Sequence, residues 1–246
     1  MMDDLILQMV DDLSLEAEIG RRSMTEFIKM SWHLVEPSTQ YIHNWHIDAK
    51  AEHLDAVLKG QIKTLVISEP PGCMKSLSCS VFFPAWAWIE YPQAKFIHTS
   101  FSEANLSRDA KRVRNIFDSK FFKERWGESF NPRMDSWNIN RFDNDKGGFR
   151  YFTTVQGQVT GEHGHIHVHD DPVKAAEGAV VESKALYDCI EWYNGTMSTR
   201  WASGFLNATI LIMQRLNEID LAGYVLDNAE DVVHLMLPME FERLRS

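Results

Sequence analysis

The chain has 246 residues, 44% of them hydrophobic, three cysteines and a formal net charge of −10. That length suffices for one large core, three cysteines without C-x-x-C spacing exclude a disulfide framework and a cysteine zinc site, and the acidic balance excludes a protein that coats nucleic acid over its whole surface. No apolar run approaches the ~18–20 residues of a membrane span, and the acidic start Met1-Met2-Asp3-Asp4 is unlike a basic signal peptide, so an intracellular compartment is expected.

Residues 3 to about 19 place Leu5, Ile6, Met9, Val10, Leu13 and Leu15 among acids at spacings that suit an amphipathic helix. A second helix is expected from Met24 to Trp32, broken before Pro37. The polar and aromatic segment Ser38 to His46 then leads to a helix that Asp48 can cap, with Leu54, Val57 and Leu58 on one face and Gly60 as its stop. Thr64 to Ser68 predicts the first strand. Leu77 to Ile89 is apolar and Trp-rich, as a helix buried against a sheet would be, and Pro92 ends it. Lys95 to Ser100 predicts the next strand, and Ser100 or Ser102 can cap a helix whose Leu106, Ala110, Val113 and Phe117 share a face. Arg108, Lys111, Arg112, Arg114, Lys120, Lys123 and Arg125 read as a solvated helix face, with a local nucleic-acid contact as the alternative.

Trp137 to Phe142 and Phe149 to Thr154 flank the turn-like Asp143 to Gly148 and predict a hairpin. Beyond the loop Gly157 to Gly161, Ile166 to Asp171 is an alternating strand that ends in two carboxylates and Pro172. A helix from about Glu182 to Tyr193, an apolar strand from Ala208 to Met213, a helix from Leu221 to Leu226 and a last strand from Val232 to Leu237 follow. Strands alternating with helices predict an α/β fold, its mostly parallel central sheet flanked by helices and preceded by an N-terminal helical extension.

Between the first strand and the next helix runs Glu69-Pro70-Pro71-Gly72-Cys73-Met74-Lys75-Ser76-Leu77. A tight turn from a strand into Lys-Ser at a helix start is how a phosphate-cradling loop reads, because backbone N–H groups converge there on the anion. Pro71 to Leu77 would surround the phosphates, Lys75 would neutralise β- and γ-phosphate oxygens, and the Ser76 hydroxyl would ligate Mg²⁺. The pattern G-x-x-x-x-G-K-[ST] asks for glycine where this chain has Glu69 and Met74, and a Pro-Pro turn carrying a Lys-Ser pair is the plain alternative. Phosphoryl transfer also needs carboxylates: Asp170 would hold the metal through water, and Asp171 would face the γ-phosphate and position the attacking water. The alternative there is an Asp-Asp-Pro turn. The alternating His163, His165, His167 and His169 suit either metal ligation or, as we prefer, packing beneath a helix.

Trp45-His46, Pro70 to Ser76, Thr160-Gly161-Glu162-His163, Asp170-Asp171-Pro172 and Gln214 to Gly223 occur in the order found in the ATPase domain of the large terminase subunit of tailed bacteriophages, which the chain resembles from about Phe27 to Pro238. The resemblance implies a P-loop NTPase fold of the RecA/ASCE kind, with residues 1–60 as a helical region that carries the adenine-side segment and residues 61–246 as the ATPase core. It implies a motor that uses ATP and Mg²⁺ to drive double-stranded DNA into a procapsid in the cytoplasm of an infected bacterium. The portal protein and the small terminase subunit are the implied partners, and a homo-oligomeric ring the implied assembly. Gln40, Trp45 and His46 map to the segment that holds adenine. Gln214 and Arg215, polar groups leaving an apolar strand, map to the motif that couples hydrolysis to movement.

Three departures from the family pattern matter. Many relatives have arginine in the loop where this chain has Gly72, many have Thr-Gly-Arg where it has Glu162, and the usual catalytic glutamate is matched by the shorter Asp171. The arginine finger is left to Arg133, Arg141, Arg150 or Arg200, and slow hydrolysis by the isolated chain is expected, since losing such a group costs ~10³-fold or more. No counterpart of the nuclease half of large terminases follows Pro238, so the chain reads as an ATPase half. A helicase-like P-loop machine and a degenerate nucleotide-binding assembly module are the rival readings.

Overall fold

The β-branched and aromatic segments of the chain lie side by side in one sheet. The computed structural model describes residues 2–157, 159, 161–180, 183–204 and 206–238, with side chains from residue 12 onward. The apolar face expected of Leu5, Ile6, Met9 and Val10, and the positions Thr160 and Glu182, lie outside that description. Strands β1 (Thr64–Ser68), β2 (Lys95–Ser100), β3 (Arg141–Asp143), β4 (Phe149–Thr154), β5 (Ile166–Asp170), β6 (Ala208–Met213) and β7 (Val232–Met236) form a seven-stranded sheet of order β3-β4-β2-β5-β6-β1-β7. Neighbours run parallel except β3 and β4, an antiparallel pair with Phe142 opposite Arg150. The first strand of this hairpin is shorter than expected, because only Arg141 to Asp143 pair.

Helices cover both faces, as a parallel sheet requires. Leu65, Ile67, Phe96, Ile166, Val168 and Ile210 face the larger core, with α2 (Met24–Val35), α3 (Trp45–Leu58), α4 (Phe83–Glu90), α5 (Glu103–Asp118) and α6 (Lys120–Trp126) packed on it. α1 (Met2–Arg22) lies outside these. Val66, Leu211 and Met213 face α8 (Lys184–Gly195) and α9 (Leu221–Asn228), and the short α7 (Ala175–Gly178) precedes them. Among the described residues no helix is long and apolar enough to cross a membrane.

Local chemistry moves several expected boundaries. Asn44, not Asp48, caps α3: its backbone is extended and its side chain accepts from the Trp45 N–H, so Trp45 and His46 open the helix. Ser102 rather than Ser100 caps α5. The basic stretch is two helices, and most of its charges are matched internally: Arg108 and Arg112 on Asp109, Arg112 also on Glu36, Lys120 on Glu124 and Arg125 on Glu16. The helix after the loop opens as a π-helix, Leu77–Phe82, and becomes α-helical through Pro84. Proline has no N–H for the Ser80 carbonyl. That carbonyl accepts instead from the buried Arg150 Nη2 at 3.3 Å, in a register where the Phe83 N–H reaches back to Ser78.

Candidate active site

β1 brings the chain to the C-terminal edge of the sheet, where the Glu69 N–H donates to the Met213 carbonyl of β6 at 3.3 Å. The backbone then turns through Gly72 and Met74, at φ 86° and 65°. Glycine adopts such angles freely, whereas for methionine they cost ~1–2 kcal/mol. The dihedral that the motif's second glycine would supply is therefore present with a different side chain. The Ser78 N–H donates to the Met74 carbonyl at 2.8 Å and starts the helix.

A buried ion pair grips this loop from behind. Lys50 Nζ on α3 donates to both Glu69 carboxylate oxygens, at 2.9 and 2.8 Å, and to the Cys73 carbonyl at 2.6 Å. Burial pushes the Glu69 carboxyl up from its ordinary range and Lys50 opposes that shift. His46, one turn before Lys50, is hydrogen-bonded to the Cys73 backbone, and burial lowers its pKa.

Asp170 and Asp171 leave β5 one strand away, with β6 between it and β1. Asp171 has φ 43°, its N–H donates to the Ile212 carbonyl at 2.9 Å, and its carbonyl accepts from the Phe101 N–H at 3.2 Å. Held between β6 and β2 in this way, its carboxylate meets Lys75 Nζ at 2.8 Å. Asp170 is buried and accepts from Ser76 Oγ and Ser80 Oγ, both at 3.0 Å. Burial, then the Asp171 charge, pushes its pKa up to about 7, against the pull of the two hydroxyls. A hydroxyl and a carboxylate are hard oxygen donors, and a buried acid that is costly to ionise alone is one that a cation would compensate. Ser76 and Asp170 therefore fit Mg²⁺.

A cleft of about 440 Å³ opens over Lys75, Ser76 and Asp171. Loop residues Pro71, Gly72, Met74 and Leu77 line it together with Trp32, Glu36 and Thr39. Trp32 is fixed by donation from Nε1 to the Thr39 carbonyl at 2.6 Å and by stacking on Phe82 at 6.2 Å. The other expected nucleotide contacts sit elsewhere. Gln40 is exposed, and Trp45 is 59% exposed with its edge on His46. Gln214 follows Met213 directly at the edge of the sheet, half-buried. Arg215 is committed to its own loop, donating to Asp220 at 3.1 Å and to the Asn217 and Glu218 carbonyls.

None of the four candidate arginines is among the residues that line the cleft. Arg133 pairs with Asp135, Arg141 with Asp143 and Glu162, and Arg150 is fully buried with its pKa drawn down to about 10. The Arg200 carbonyl accepts from His167 Nε2 at 2.9 Å. His167 stacks on Trp201, and His169 packs against Trp192 and Tyr193 of α8, beneath that helix. Among the described residues no three or more histidine, cysteine, aspartate or glutamate side chains come together as a metal-binding group. Sequence reasoning passed over Trp32, Thr39, Lys50 and Ser80. Lys50 left a signal, a charge inside the apolar stripe Ile47, Ala51, Leu54 and Leu58, and Ser80 stands one helical turn after Ser76.

The mostly parallel seven-stranded sheet, with helices on both faces, a first strand that feeds a Lys-Ser loop and an acid-ended β5 separated from it by β6, defines an α/β fold. No protein-family model matches the chain, and no curated protein sequence does. Among solved structures, 85% of the chain is similar to the large terminase from a thermophilic bacteriophage, with a TM-score of 0.42, 10% identity and 45% of that chain covered. It is also similar over 78% of its length to the Phi-28 gp11 DNA packaging motor, with a TM-score of 0.39, 11% identity and 60% of that chain covered. The chain thus spans about half the length of these proteins.

Proposed function

We propose that the chain is an Mg²⁺-dependent ATP hydrolase that drives double-stranded DNA into the procapsid of a tailed bacteriophage. The observation that carries the hydrolase reading is the pairing of Lys75 with Asp171 at 2.8 Å in the cleft, with Ser76 bonded to the buried Asp170 behind it. Phosphate entering the cleft would draw the Lys75 ammonium onto its own oxygens and release an Asp171 oxygen to orient the attacking water. Ser76 and Asp170 would hold Mg²⁺, which neutralises charge on the phosphate oxygens. Trp32 would present a ring to the base. The packaging role, with the portal protein and the small terminase subunit as partners, extends the ordered motifs from Trp45-His46 to Gln214–Gly223, and a neighbouring subunit of a ring would supply the arginine absent from the cleft.

Phosphate release from ATP and Mg²⁺ by the purified chain tests this. Lys75→Ala and Asp171→Asn are each expected to lower turnover by about a hundredfold or more, and wild-type turnover in either variant would refute the assignment. Duplex DNA together with portal-bearing procapsids is expected to stimulate turnover. Separation of the strands of a tailed duplex would identify a helicase instead.

A further inference from the structure

We propose that Lys50 is a positioning residue that shapes the phosphate loop from outside it. The inference rests on reading that loop as the phosphate site and identifies what holds it in form. The Lys50 ammonium has three N–H bonds, and three acceptors at 2.6 to 2.9 Å take them: the two Glu69 oxygens and the Cys73 carbonyl. One charge thus spans the turn from Glu69 to Cys73. Both side chains are buried, so water does not compete for these bonds.

The bond to Cys73 has a directional consequence. Carbonyl and N–H point opposite ways across a planar trans peptide, so drawing the Cys73 carbonyl towards α3 turns the Met74 N–H to the side away from α3. Met74 lines the cleft. A non-glycine residue at φ 65° does not hold that angle unaided, and Lys50 supplies the restraint on the preceding peptide. This also gives Glu69 a purpose where the motif asks for glycine: its carboxylate neutralises and orients the lysine.

The test compares Lys50→Met with the double variant Lys50→Met/Glu69→Met. Three quantities are read: the affinity for a fluorescent ATP analogue, the thermal unfolding temperature, and the rate at which a thiol reagent modifies Cys73 without nucleotide. Cys73 is partly exposed whereas Cys79 and Cys189 are buried, so modification reports on the loop and needs no activity. Lys50→Met leaves Glu69 buried and unpaired and is expected to lower the unfolding temperature. The double variant removes both charges and is expected to unfold near the wild type, yet to label faster and bind the nucleotide more weakly, each by about tenfold. A double variant that labels and binds like the wild type would make the pair a filler of the core and overturn the proposal. Wild-type affinity in Lys75→Ala, with fast labelling in the double variant, would instead sink the phosphate reading while leaving Lys50 as the residue that shapes the loop.

Discussion

Gly72 and Met74 share one backbone region for opposite reasons. Gly72 sits at φ 86° and an added Cβ there would meet nothing within 4 Å, so the requirement for glycine is torsional rather than steric. Gly72→Ala is expected to lower stability by about 1–2 kcal/mol, read from the midpoint of urea unfolding with the slope unchanged. Met74→Gly relieves a similar strain, but it gives the unfolded chain about 0.4–1 kcal/mol of added entropy and removes a side chain packed against the larger core, so it is expected to bring no gain in stability. An unchanged midpoint in Gly72→Ala would show that the loop reaches its shape by other dihedrals. A motif written in residue types scores Met74 as a mismatch, whereas the backbone meets the motif's demand. That Lys75, Ser76, Asp170 and Asp171 form one cluster was legible, because a Lys-Ser pair at a helix start and two acids at a strand end are the residue types that phosphate and metal chemistry would ask for there. Lys50 was not, because its acceptors lie 19 and 23 positions away and only the tertiary fold brings them together.

At the scale of elements, one side chain divides the basic stretch. Ser119 Oγ donates to the Ile116 carbonyl at 2.6 Å, closing α5, and accepts from the Phe122 N–H at 3.1 Å, opening α6. The bend sets Phe122 against Phe117 at 5.2 Å, in a cluster where Phe117 also stacks on Trp88 at 5.1 Å. Ser119→Ala removes both caps and is expected to cost about 1–2 kcal/mol in urea unfolding, whereas Ser119→Asp, which keeps the N-cap, is expected to recover about half of that. Equal losses in the two variants would assign the effect to the α5 end alone. Most elements were legible from local pattern: the long helices α2 and α5 bury one repeating face, and β1, β2, β5 and β6 are short runs buried at nearly every position and bounded by turn residues. What escaped was decided by single groups: the break at Ser119, the cap at Asn44, and the π-helix whose register follows from Pro84 and the partner that Arg150 gives the Ser80 carbonyl. The order of the strands was not legible, because pairings between distant segments leave no local pattern.

The whole molecule buries titratable groups on both faces of its sheet, and they pull stability in opposite directions with pH. Burial pushes the pKa of His167 down to about 4 and that of His169 to about 3, and lowers that of His98 well below its ordinary value. Unfolded histidine titrates near 6.5, so as pH falls below that value the unfolded chain takes up protons that the folded chain refuses, and stability drops. Asp170 works the other way: folded, it keeps its proton up to about pH 7, while unfolded it loses it near 3.8, so over that span stability drops as pH rises. The wild-type curve mixes these effects, and a difference between two proteins isolates one of them. His167 stacks on Trp201 at 3.9 Å and donates to the Arg200 carbonyl, and His167→Gln removes its titration while leaving a side chain able to donate there. Between pH 6 and 4.5 the stability of the wild type is expected to fall relative to the variant by about 1.2 kcal/mol per pH unit, on top of a constant offset for the changed packing. Urea unfolding of both proteins at closely spaced pH values reads this slope directly. Parallel curves would mean that the folded protein protonates His167 at its ordinary pKa, and that water reaches β5 from the α8 side.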